Sequence, residues 1–179
     1  MTIDIEVVHE HALSERDLAM LRQLLDDCLP DTFIGRTYVK QLPHFRLLAR
    51  DGDRLIGQLG LDFRVIRVGP EILHILGIID LCVRTDMRHR GHGTRLLDEA
   101  ERTAAGSRAD FLVLMADRYD IYLKNGYSNI RPADTKWLGI EDRETVMIIE
   151  RDLGDCFMAK PIAGNPWPNG QIDMLGYLF

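Results

Sequence analysis

The chain has 179 residues and a mass of 20.5 kDa, with 46% apolar and 28% charged residues. These are the proportions of an ordinary globular protein and exclude a disordered or fibrous one. Twenty-two basic against 28 acidic side chains give a formal charge of −6, which argues against a nucleic-acid or anionic-membrane surface over the whole molecule.

A chain of this length buries about 70% of its unfolded surface, enough for a core without covalent staples. Three scattered cysteines, Cys28, Cys82 and Cys156, make neither a disulfide framework nor a zinc knuckle and suit a reducing cytoplasm. Asp4, Glu6, Glu10 and Glu15 interrupt the apolar positions at the start, so neither a signal peptide nor a spanning helix is expected. No repeat or Pro/Gly/Ser-rich linker divides the first 150 residues, which read as one fold.

In chain order, Ser14 followed by Asp17 makes a capping box. Leu18, Leu21, Leu25 and Cys28 then recur on one helical face until Pro30 stops the pattern. The runs 45–50 and 54–61 flank Asp51, Gly52 and Asp53 and predict a β-hairpin. Beyond a turn at Gly69 and Pro70, residues 72–83 are almost wholly apolar, as a strand buried on both faces is. Leu96, Leu97, Ala100, Thr103 and Ala104 repeat at helical spacing before Gly106. A strand at 111–115, a short helix at 117–125 ended by Gly126, and a last strand at 145–151 complete a mixed α/β pattern before a polar, proline-containing tail.

The most informative segment is Arg88-His89-Arg90-Gly91-His92-Gly93-Thr94, between the apolar strand and a helix start. From Met87 to Leu97 there are three arginines and two histidines with no acidic residue. Glycines let successive N–H groups converge on one anion, and the helix N-terminus behind them adds about half a positive charge. The alternative is a solvated basic turn whose glycines serve only chain reversal. There is no G-x-x-x-x-G-K-[ST], and the third glycine of G-x-G-x-x-G falls on Leu96, so nucleoside triphosphates and NAD are disfavoured. His89 and His92 have no Cys, Asp or Glu beside them in the turn, so no metal is expected.

The strand end Leu81-Cys82-Val83 followed by Arg88-x-x-Gly91-x-Gly93 resembles the acyl-CoA-binding motif of the GNAT N-acetyltransferase superfamily. Tyr122-Leu123-Lys124-Asn125-Gly126-Tyr127 resembles its Y-x-x-x-G-[FY] signature. The resemblance covers residues 5–152. It implies a GNAT fold: an α/β arrangement in which a mixed, mostly antiparallel central sheet with splayed central strands is flanked by helices. It further implies a donor site in which the main chain of Leu81, Cys82 and Val83 takes the pantetheine arm. His89, Arg90, Gly91, His92, Gly93 and Thr94 bind the pyrophosphate of acetyl-CoA, and Arg88, Arg90 or Arg95 adds charge. On this reading residues 1–153 are the acyltransferase domain, and 154–179 are a C-terminal extension packing on it or on a dimer partner.

Within the superfamily, the tail from Trp167 to Asp173 is similar to a segment of the rhizobial nodulation N-acyltransferases. Asp31-Thr32-Phe33 is similar to an acidic acceptor contact of the aminoglycoside N-acetyltransferases. The general acid of the family matches Tyr122, whose phenol is protonated near neutral pH because it titrates at about 10; Tyr119 is the fallback. Carboxylates that commonly act as base fall on Gly77 or Ile79, a departure from the family pattern. Asp80, the one acid in an apolar strand, is the substitute because burial raises a carboxyl. His74 reads better as a core residue, and the terminal carboxylate of Phe179 is a further contact for an amine. The expected activity is acetyl transfer from acetyl-CoA to the primary amine of a small molecule. Acyl transfer from a carrier protein, a non-catalytic CoA sensor and a tail-mediated homodimer are the alternatives.

Overall fold

The computed structural model describes residues 3–179. Its contacts gather into two compact units, one made of residues up to Asp62 with Ile78–Ala100, the other of Phe63–Gly77 with Glu101–Phe179. Two long strands, β3 (Arg54–Val68) and β4 (Glu71–Val83), contribute to both. Among the described residues, no helix is long and apolar enough to cross a membrane.

The first unit contains β1 (Asp4–His9), α1 (Glu15–Cys28), β2 (Phe45–Asp51) and most of α2 (His92–Ala105). The capping box opens α1 as the sequence predicts. The Asp17 N–H donates to Ser14 Oγ at 3.1 Å and the Ser14 N–H to the Asp17 carboxylate at 3.4 Å, satisfying two helix-end donors at once. Leu21, Leu24 and Leu25 then pack with Phe33, Leu48, Leu55 and Cys82. The hairpin of β2 with β3 closes with Asp51 opposite Arg54. β1 adds to the free edge of β2, antiparallel, with Ile5 opposite Ala49. Its side chains are largely exposed, so no burial-driven alternation marks it in the sequence.

Inside this unit lies a polar cluster that apolar patterning conceals. Arg46 on β2 is fully buried. Its Nε donates to Glu10 at 2.7 Å, Nη1 to the Gln58 side-chain oxygen at 3.0 Å, and Nη2 to the Thr37 carbonyl. A buried guanidinium is tolerable because its donors are met and its charge is paired.

The second unit continues with β5 (Phe111–Met115), α3 (Asp120–Lys124), β6 (Ser128–Asn129), β7 (Asp134–Glu141), β8 (Glu144–Asp152), β9 (Phe157–Pro161) and β10 (Ile172–Tyr177). The hydrogen-bonding order there is β6-β9-β5-β4-β3-β10-β7-β8. The pairs β4/β5 and β10/β7 are parallel, and the other pairs with resolved register are antiparallel. Two outcomes differ from the sequence reading. The strand at 145–151 is not the last, because the tail supplies β9 against β5 and β6 and β10 against β3 and β7. The short helix is only five residues, beginning at Asp120. β9 and β10 are too short for periodicity to separate them from the polar residues around them. They are strands because Phe157, Ala159, Ile172 and Met174 fill a core with Ile66, Val68, Ile75, Phe111 and Val113.

Replacing Arg46 by Ala strands the Glu10 carboxylate beside an empty buried site. Urea denaturation should show a loss of about 3–5 kcal/mol, and adding Glu10→Gln to that variant should return part of it.

Candidate functional site

In the first unit, β4 ends at Val83 and a single 3-10 turn, Thr85–Met87, leads into the basic segment. Met87 is buried and anchors the turn, whereas Arg88, His89, Arg90 and Gly91 are exposed. Two residues of this segment take left-handed backbone, His89 at φ 60° and Gly91 at φ 80°, the kind of alternation that turns successive N–H groups to one side. A Cβ at Gly91 would meet nothing within 4 Å, so the requirement for glycine there is its φ and not crowding. The Gly91 carbonyl accepts from the Arg95 N–H at 3.0 Å. This opens α2 at His92, ahead of Gly93. The first-turn N–H groups of α2 have no intrahelical acceptor, and no acid lies among them. Both ring nitrogens of His92 are buried without a hydrogen-bond partner among the described residues.

The arginines divide by role. Arg88 Nε donates to the Val83 carbonyl at 3.0 Å and Arg95 Nη2 to the Ile3 carbonyl at 2.7 Å, so both fasten the segment to its own unit. Arg90 is exposed beside Gly91.

Asp80 interrupts β4 with a left-handed φ of 54°, a conformation non-glycine residues avoid within a strand. Its carbonyl accepts from the Gln58 side-chain amide, so the Glu10–Arg46–Gln58 chain ends on this kink. Burial raises the Asp80 carboxyl above the usual carboxylate range, and the charges of Arg46 and Lys40 oppose that rise. Nearby, buried Asp62 pairs with Nδ1 of exposed His44. The sequence reading missed Arg46, Gln58, Asp62 and His44. The available signal was a polar residue at a core position of an apolar run, since a buried polar group requires a partner.

In the second unit, the ladder of β4 with β5 holds only Ile75 opposite Phe111, Leu76 opposite Leu112 and Gly77 opposite Val113. β5 runs on to Met115 and β4 to Val83. Tyr122 lies on α3, which Gly126 terminates at φ 83°, and the Tyr127 N–H closes the turn on the Tyr122 carbonyl at 3.1 Å. The two rings meet edge to face at 5.8 Å. Burial pushes the Tyr122 phenol up to about 12, so it is neutral across the physiological range. Lys160 braces the motif, donating to Glu101 at 2.6 Å and to the Asn125 carbonyl at 2.9 Å.

The ring of Phe179 covers Gly77, where a Cβ would stand 2.8 Å from two ring carbons. A side chain at position 77 would therefore collide with this ring. Arg64 stacks on Tyr177, 3.8 Å from the ring centroid, and its Nη1 donates to the Tyr177 carbonyl. Trp167 packs edge-on against Phe111 and Phe157 at 4.9 and 5.6 Å. His74 is part-exposed, stacked on Phe63, with Nδ1 3.8 Å from Asp110. Asp31 is exposed in the loop after α1, at φ 64°. Thus Asp80, Leu81, Cys82, Val83 and residues 88–94 share the first unit, and Tyr122 and Phe179 belong to the second.

A kinked β4 whose ladder with β5 ends midway, followed by a left-handed glycine turn and a helix start, defines an acyl-CoA transferase type of fold. Residues 11–130 match the family described as the acetyltransferase (GNAT) domain, and the chain belongs to that family. No curated protein matches it. Among solved structures it is similar to a GNAT family N-acetyltransferase from Escherichia coli in complex with CoA, with TM-score 0.66 and 16% identity over 96% of this chain and 89% of that one. It is also similar to a GNAT family acetyltransferase from Brucella melitensis in complex with acetyl-CoA, with TM-score 0.59 and 15% identity over 94% of each. An acyl-CoA N-acyltransferase from Pseudomonas aeruginosa gives TM-score 0.58 and 16% identity over 89% of this chain and 99% of that one.

Two outcomes follow from this geometry. In a spectrophotometric titration of the phenols, Tyr122→Phe should remove a late component, ionising near 12. Gly77→Ala should displace the Phe179 ring and make residues 172–179 exchange amide hydrogens faster, and Phe179→Ala in the same chain should relieve the crowding that a Cβ at position 77 creates.

Proposed function

We propose that this protein transfers acetyl from acetyl-CoA to the primary amine of a small molecule, by direct attack with both substrates bound. The observation that carries the reading is the turn Arg88–Thr94. It is an acid-free, left-handed glycine turn at the start of a 14-residue helix, with the chemistry to hold a diphosphate by main-chain N–H groups. Arg88, His89, Arg90, Gly91, His92, Gly93 and Thr94 bind the diphosphate. Leu81, Cys82 and Val83 offer main-chain groups to the pantetheine, beyond the point where the β4–β5 ladder ends.

In this mechanism Asp80 takes the proton that the amine sheds as its nitrogen bonds to the thioester carbon. Its burial makes it a stronger base than an exposed carboxylate. N–H groups of β4 stabilise the oxyanion as it forms. When the carbon–sulfur bond breaks, Tyr122 donates its phenolic proton to the leaving thiolate, for which its neutral state is required. Asp31 attracts the amine, and Phe179, whose ring lies at Gly77, supplies an apolar surface.

Free-thiol release from acetyl-CoA across a panel of amines tests the whole reading. Tyr122→Phe should lower kcat by about 10²–10⁴-fold with donor Kd unchanged. Gly91→Val should weaken donor binding, because a β-branched residue resists positive φ. Full turnover by Tyr122→Phe would remove the acid from the mechanism, and CoA binding without thiol release for any amine would make the protein a sensor.

A further inference from the structure

The first unit contains two cysteines whose thiols the proposed reaction does not use. Cys28 is the last residue of α1, and Cys82 is the penultimate residue of β4. Cys82 is buried among Leu21, Leu24, Leu25 and Leu48, and Cys28 packs on the rim of that cluster, half-buried. The two thiols lie close enough in this cluster to perturb each other's ionisation, and the guanidinium of Arg88 acts on Cys28 as well. Two thiols that share one packed cluster, carried by a helix end and a strand end, are neighbours across which a disulfide can close.

We propose that Cys28 and Cys82 are a reversible thiol–disulfide couple whose oxidant is a hydroperoxide. The Cys28 sulfur attacks the outer peroxide oxygen. An S–O bond forms, the O–O bond breaks, and the departing alkoxide or hydroxide takes a proton to leave Cys28 as a sulfenic acid. The Cys82 sulfur then attacks Cys28, the S–S bond forms and the S–O bond breaks. The hydroxide leaves with the Cys82 proton as water. Two thiols and one hydroperoxide thus become one disulfide, one alcohol or water, and one water.

The surroundings assign the order of attack. Cys28 is the less buried of the two. Its neighbour Cys82, with the guanidinium of Arg88, lowers its thiol to about 7 against the opposition of burial and Asp27. The thiolate is the nucleophile, so Cys28 attacks first. Cys82, pushed up by its neighbour Cys28 and by burial, resolves the sulfenic acid. The couple rests on the packing of this unit alone and stands whether or not the protein transfers acetyl groups.

The full-length protein is treated with a small excess of hydrogen peroxide, blocked with maleimide, digested without reductant and mapped by mass spectrometry. The expected product is an intramolecular link between the Cys28 and Cys82 peptides, reversed by dithiothreitol, with the thiols counted in denaturant falling from the three of the sequence to one. Cys156→Ser keeps the link. Cys82→Ser lets Cys28 advance to sulfinic acid. The proposal is overturned if wild-type protein accumulates sulfinic Cys28 with Cys82 free, if the link involves Cys156 or a second chain, or if all thiols survive. The map of the wild-type protein decides this even where a serine variant fails to fold.

Discussion

The left-handed residue Asp80, near the end of β4, is the constraint around which the first unit is arranged. A strand residue at φ 54° withdraws its carbonyl from the regular ladder, at a cost of order 1–3 kcal/mol, and the structure must both satisfy and hold that carbonyl. The Gln58 amide does so. Gln58 is itself held by Arg46, and Arg46 by Glu10 and the Thr37 carbonyl. Each donor in this chain is buried, so removing one exposes the next to an unmet polar group in a low-dielectric interior. The kink therefore belongs to the core of the unit, and the proposed catalytic carboxyl sits on a rigid element.

The turn after β4 inherits this rigidity. Met87 is buried beneath it, Arg88 ties back to Val83, and Arg95 ties to Ile3. With these contacts fixed, His89, Arg90, Gly91 and Thr94 face solvent, and His92 and Gly93 are half-buried. On the proposed reading the site is built from main-chain dipoles and is indifferent to most side chains, which accommodates histidines flanking the glycines. Fixed dipoles also bind an anion without reorganising, which is the physical advantage of a helix start over flexible lysines.

The C-terminal strands have a second role besides completing the sheet of their unit. β10 leads the chain to Tyr177, Leu178 and Phe179, and the last ring comes to rest on Gly77. Glycine at position 77 leaves the room that the Phe179 ring occupies. The edge contacts of Trp167 with Phe111 and Phe157 fix the tail between β9 and β10.

The sequence by itself determined the helix with its capping box, the hairpin at Gly52, the apolar strand β4, the basic glycine turn and the Tyr122–Tyr127 motif. Each of these is encoded locally, in a cap, a turn or a period that neighbouring residues complete among themselves. Only the tertiary structure decided that Asp80 is kinked and held by Gln58, that Arg46 is wholly buried, that Cys28 meets Cys82, and that Phe179 fills the space at Gly77. These depend on residues from 12 to more than 100 positions apart meeting in space. Long-range partners of this kind are chosen by packing and by the need to satisfy buried polar groups, neither of which leaves a periodic trace along the chain.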